Sequence, residues 1–167
     1  MIRTKQGESM EKSIEVAALE KRLDEVLAAL LKATHGSRST LRIDDKDRGW
    51  NVDYVCAEAL QPGVRSLRGE GSIDQRAAAT VQWMVKHKRT LVQSDLTNDP
   101  DPAPPSALLS VYAAKAQLLG PLLERHGYLA GWISVHYVDG KHAITADEER
   151  AMDQARADVA RLTGIGT

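Results

Sequence analysis

The chain has 167 residues, 43% hydrophobic and 27% charged, a balance that suits one folded domain with a core and excludes a disordered or fibrous chain. Its 22 Lys and Arg against 23 Asp and Glu leave no cationic excess for neutralising phosphates, so nucleic acid is not an expected partner. The single cysteine, Cys56, excludes an internal disulfide. No apolar run approaches the ~20 residues of a membrane span, and the charged start lacks the apolar stretch of a signal peptide, so a cytoplasmic location without membrane contact is expected.

Residues 1–9, "MIRTKQGES", are polar and aperiodic and read as a disordered tail. A helix is expected over 10–34, where Val16, Leu19, Leu23, Val26 and Leu30 recur three and four apart as a heptad seam; His35 and Gly36 close it. "SRSTLRID" and "NVDYVCAEAL" alternate polar and apolar around the turn residues "DKDRG", which predicts an antiparallel hairpin. After the loop "PGVRSLRGEGSID", residues 75–89 read as an amphipathic helix with Ala78, Val81 and Val85 on one side and Trp83 on another. Its last residues, "KHKR", read as a solvated, dipole-favoured C-terminus.

A short strand, "TLVQSDL", follows, and the prolines of "NDPDPAPP" at 98–105 forbid regular structure before a short helix. That irregular segment is a candidate lid. "AQLLGPLLERHGYLAGWISVHYVDG" gives two strands joined at "RHG". Thr145 and Glu148 form a capping-box pattern that opens a last helix, expected over 145–163, with Met152, Ala155, Val159 and Leu162 on one stripe and Gly164 as its stop.

Three stretches in this order, "LRGEGSIDQRAAATVQWMVKHKRTLVQSDLTNDP", "AQLLGPLLERHGYLAGWISVHY" and "AITADEERAMDQARADVARL", resemble the GAF domain, a small-molecule-binding and dimerisation module of signalling proteins. The resemblance covers roughly residues 14 to 163. It implies an α+β fold: a central antiparallel sheet of five to six strands, with the N- and C-terminal helices on one face and short helices and loops over a cavity on the other. PAS domains share the general architecture, but a long helix before the first strand and another after the last favour GAF.

Members of this family bind cyclic nucleotides, bilins, haem, aromatic acids or free methionine sulfoxide. Reduction of the sulfoxide needs a resolving cysteine beside the nucleophile, and Cys56 stands alone. Bilin attachment in phytochromes goes with an Asp-Pro-His motif, and "DPDP" lacks the histidine; the cyclic-nucleotide signature contains phenylalanine, and this chain has none. Haem on His136 is the one cofactor left open. His126, His136 and His142 do not match zinc-ligand spacing, and Ser134, His136 and Asp139 lack an oxyanion hole. "RGEGS" at 68–72 reads as a turn rather than a phosphate cradle.

Alternation along "GWISVHY" sets Ile133 and Val135 on one face and Trp132, Ser134 and His136 on the other, the mixed face suiting a cavity wall. Tyr54 and Cys56, on the hairpin, and Trp83 and Tyr112, on the covering segments, complete the candidate pocket residues. The expectation is a stand-alone, non-catalytic sensory domain that binds a small molecule and signals to a separate partner. A homodimer would form through Val16, Leu19, Leu23, Val26, Leu30 and the C-terminal helix. The alternatives are a structural dimerisation module with an occluded pocket, and a small enzyme with His136 as general base.

Overall fold

The computed structural model describes residues 5–166. Helix α1 (Lys5–Thr34) leads into strand β1 (Arg38–Ile43) and, after a long turn, β2 (Ala57–Leu60). Helix α2 (Ala79–His87), strand β3 (Leu91–Gln93) and the short α3 (Ser106–Ser110) follow. Strands β4 (Ala116–Leu123) and β5 (Leu129–Tyr137) then form a hairpin, and α4 (Ala146–Thr163) ends the fold. The five strands make one antiparallel sheet in the order β2-β1-β5-β4-β3, so the last strand lies at the centre against the first.

The sheet has two different faces because strand side chains alternate. On one face Leu41 and Ile43 of β1, Leu118 and Leu122 of β4, and Ile133 and Val135 of β5 meet Leu23, Leu27 and Leu30 of α1 and Met152 and Val159 of α4. Each of these side chains is buried, and each contributes roughly 1.5–3 kcal/mol by leaving water. On the other face Leu119, Leu129 and Trp132 pack with Val81 and Met84 of α2. A third cluster, Leu67, Leu96, Leu108, Tyr112 and Ala114, gathers the loops and α3 beyond it.

The last helix forms where its caps require. Thr145 Oγ1 accepts from Glu148 N, the Glu148 carboxylate accepts from Thr145 N at 3.0 Å, and Gly164 (φ 72°) closes the helix in the left-handed region. The β4–β5 turn falls on Arg125–Gly127, with His126 and Gly127 both at positive φ.

Elsewhere the structure departs from expectation. Helix α1 starts at Lys5, so residues 5–9 extend the helix instead of forming a tail; residues 1–4 lie outside the described region. The heptad seam faces inward: Leu23 and Leu30 are buried in the chain's own core, leaving only Val16, Leu19 and Val26 partly exposed. The first hairpin closes early, at an isolated Asp45–Trp50 bridge, and residues 51–56 make turns rather than strand. Side-chain acceptors divert the backbone there: Asp44 Oδ1 takes Val52 N at 2.9 Å, and Asn51 Oδ1 takes Asp53 N at 2.9 Å.

Helix α2 is shorter than its amphipathic pattern, because Asp74 Oδ1 binds Ala77 N and Gln75 O takes Ala78 N in a preceding turn, while Lys88 at φ 54° stops it. It buries Thr80, Val81 and Met84, whereas Val85, expected beside Val81, is exposed. Strand β3 keeps three residues of the seven expected, as Asp95 turns the chain by accepting from Thr97 N.

Candidate ligand pocket

The face of the sheet away from α1 and α4 carries a partly open pocket. Its floor is Thr40 and Arg42 of β1, Trp132, Ser134 and His136 of β5, and Gln117 and Leu119 of β4. The ladder sets these in rows: Arg42 opposite Trp132, Thr40 opposite Ser134, and Gln117 opposite His136. Leu67, Ile73 and Gln75 of the loop before α2, Thr80 and Val81 of α2, and Pro105, Leu108 and Tyr112 around α3 make the roof. The cavity volume is about 40 Å³.

Arg38 ties floor to roof. It is fully buried, and its Nε donates to His136 Nδ1 (3.0 Å), Nη1 to the Arg65 carbonyl (2.7 Å) and Nη2 to the Tyr112 carbonyl (3.0 Å). Its guanidinium also sits 5.5 Å from the Tyr112 ring centroid, with Arg65 at 5.3 Å. Tyr112 in turn donates its hydroxyl to Glu70 Oε2 at 2.9 Å, which holds the 68–72 turn against α3. Burial, together with this bond to Glu70, pushes the Tyr112 phenol up, so it stays a donor.

These bonds decide what His136 can do. An arginine Nε–H always donates, so Nδ1 must carry the lone pair and the ring hydrogen sits on Nε2. Burial, reinforced by the Arg38 and Arg42 charges, holds the ring well below the usual imidazole range, and it is neutral. The ring's one lone pair is therefore committed to Arg38. A haem iron or an abstracted proton would need that lone pair, so the ring as placed fits neither an axial ligand nor a general base. Asp139 does not line the pocket, and among the described residues no three His, Cys, Asp or Glu side chains are grouped to hold a metal.

Arg42 is 4% exposed. Its side chain donates Nη1 to the Val52 carbonyl at 3.0 Å and pairs directly with no carboxylate among the described residues. Burial lowers it to about 10, only partly countered by Asp53, Glu58 and Glu70 acting from a distance, and it remains charged at neutral pH. Thr40 is 1% exposed, and its Oγ1 has no hydrogen-bond partner among the described residues.

Of the residues singled out from sequence, Trp132, Ser134, His136 and Tyr112 come together in this pocket. Three do not. Tyr54 is 53% exposed in the turn before β2, packed beside Gly71. Cys56 lies in the helix-side core, its Sγ against the Leu41 carbonyl, because the hairpin no longer alternates as a strand there. Trp83 is partly buried against the Val81, Met84 and Trp132 cluster but outside the pocket lining, its ring 4.4 Å from that of His87 and 5.2 Å from the Arg89 guanidinium. Sequence reasoning missed Arg38, Thr40, Arg42, Gln75, Thr80 and Gln117. The alternate spacing of Arg38, Thr40 and Arg42 in "RSTLRI" was the available signal, but a polar strand face ordinarily means solvent.

The fold has close structural relatives. The cyanobacteriochrome receptor PixJ matches with a TM-score of 0.69 at 14% identity, over 89% of this chain and 96% of that one. The PixJ GAF domain of Thermosynechococcus elongatus, in a blue-light-absorbing form, gives 0.66 at 15% identity over 89% and 88%. A phycoerythrobilin-bound GAF domain from a cyanobacterial phytochrome gives 0.65 at 14% identity over 96% and 95%. Comparison with curated proteins yields no significant match. The family model described as GAF domain matches residues 18–162, nearly the whole span of sheet, pocket and flanking helices, and the chain belongs to that family.

Proposed function

We propose that this chain is a non-catalytic sensory domain that binds a small molecule in the β1/β5 pocket and transmits occupancy to its terminal helices. One observation carries the reading. The strands that floor the pocket through Thr40, Arg42 and Ser134 present Leu41, Ile133 and Val135 to the α1/α4 layer, so a shift of either strand moves both sets of side chains. A ligand that favours one strand position thereby biases the helices, and a separate partner would read them.

A covalently attached bilin does not suit the site. Cys56 lies on the opposite face of the sheet, where burial pushes its thiol up to about 12. The cavity of about 40 Å³ is about a quarter of the ~150 Å³ void that admits benzene. A dimer remains part of the proposal, but through the parts of α1 that the chain's own core covers only in part, Val16, Leu19 and Val26, together with the exposed Met10 and Ile14, and the adjoining surface of α4.

The test is a titration with a small-metabolite library, read by Trp132 fluorescence in a Trp50→Phe/Trp83→Phe background, with sedimentation giving the subunit count. Saturable quenching by a library member supports the reading. A pocket that responds to none of them would favour a structural module, and a purely monomeric protein would remove the dimer.

A further inference from the structure

Resting on that reading, we propose that the pocket is a receptor for a small carboxylate of roughly two or three carbons, its charge held by Arg42 and its oxygens by the hydroxyls of Thr40 and Ser134.

Arg42 lines the pocket, and no aspartate or glutamate does. A guanidinium buried without a direct counter-ion is unfavourable unless something else supplies the anion. Arg38, also buried, adds a second cation behind His136 on the same sheet face, and it too pairs directly with no carboxylate among the described residues. The lining itself therefore carries a cation and no anion, while Asp53, Glu58 and Glu70 act on Arg42 only from outside the pocket.

A buried polar atom ordinarily finds a partner. Two buried hydroxyls of β1, those of Ser39 and Thr40, lack a partner among the described residues, and Thr40 is the one that lines the pocket. Thr40 stands two residues from Arg42 on the same strand face, about 7 Å along the strand, and directly opposite Ser134 on β5. A carboxylate on the free edge of the Arg42 guanidinium would accept from it in a planar, bidentate fashion and reach these hydroxyls with its outer lone pairs. The His136 Nε2–H adds a further donor on the same floor, so the polar lining is rich in donors and holds no anion of its own.

Size sets the remaining limit. A water needs roughly 10–15 Å³ of cavity on the same measure, so the observed volume holds about three such groups. A carboxylate with a short carbon stub fits that space, with the stub against Leu119 and Trp132.

The experiment is amide NMR titration of the full chain with acetate, glycolate and pyruvate, beside neutral acetamide and the inorganic anions nitrate and phosphate. The expected result is saturable shifts at Thr40, Arg42 and Ser134 with at least one carboxylate. Its affinity should fall at least tenfold in Arg42→Gln and severalfold in Thr40→Val, and acetamide should bind at least tenfold more weakly. If Arg42→Gln fails to fold, Thr40→Val and Ser134→Ala must each still weaken the carboxylate. Equal binding of acetamide, binding of nitrate or phosphate alone, or an Arg42→Gln affinity equal to wild type would overturn the carboxylate assignment while leaving a ligand-binding pocket. No shift with any of the six compounds would overturn it as well, and the broader library at Trp132 then decides separately whether the domain binds small molecules.

Discussion

Replacing Gly131 with alanine separates what local propensity predicts from what the packed sheet imposes. Gly131 is not among the positive-φ residues, so in isolation the change should stabilise by about 0.4–1 kcal/mol through the unfolded chain. In the folded sheet, however, the new Cβ would stand 2.1 Å from the Arg42 carbonyl oxygen and 2.9 Å from Ile43 Cα. Ordinary contact begins near 3.4 Å, so β1 must retreat by about 1 Å from β5. Both obstructing atoms are backbone and cannot rotate away. Overpacking costs about 1–3 kcal/mol and a weakened ladder bond about 1 more, so before the smaller unfolded-chain gain we expect a loss of roughly 2–4 kcal/mol.

Gly120→Ala is the matched control. Its Cβ meets Met152 Sδ and Cγ and Arg156 Cδ, all on flexible side chains, and a loss of about 1–2 kcal/mol is expected. Urea unfolding followed by far-ultraviolet circular dichroism measures both, provided the slopes match wild type. A Gly131→Ala protein as stable as wild type, or less destabilised than Gly120→Ala, would refute the close approach of β1 to β5.

Further outcomes are expected at titrating and reactive groups. Because His136 is held neutral well below its usual range, the unfolded chain binds the extra proton below about pH 6.5. Stability should therefore decline as pH falls from there, His136 contributing a slope of up to about 1.4 kcal/mol per pH unit. Urea midpoints across pH 5–7 check this, and His136→Gln should flatten the slope. Glu148 is raised by burial but lowered further by hydrogen bonds from Thr145, His142 and Tyr137, with a net shift downward. Its contribution is complete above the ordinary carboxylate range and lost as pH drops through its folded value, and Glu148→Gln should remove that acid-side loss. At neutral pH, Glu148→Ala should cost about 1–2 kcal/mol through the lost capping box, while alanine at the exposed Glu149 should be near neutral. Cys56 should react with a disulfide reagent only on unfolding, since it is buried and its thiol is pushed up; rapid labelling of the native protein would place it outside the core.

Much of this architecture was legible from local rules. The capping residues Thr145 and Glu148 with Gly164 bound α4, the "RHG" turn joins β4 to β5, and the alternation in "GWISVHY" separates Ile133 and Val135 from Trp132, Ser134 and His136. These signals are short-range, because a cap, a turn or a pleat is set by residues within a few positions. Tertiary structure alone decided the rest. The seam of α1 reads equally as a dimer contact or a core stripe, and only the sheet beneath it shows Leu23 and Leu30 already covered. Cys56 left the pocket side because Asp44 and Asn51 captured backbone N–H groups that a continuous strand would have paired, and periodicity does not weigh that competition. Arg38, Thr40 and Arg42 look like a solvent-facing edge until the loop of Leu67 to Gln75 and the segment of Pro105 to Tyr112 close over them, contacts made between residues 25 or more positions apart. A strand's pattern states which side chains share a face, but what covers that face depends on the whole chain.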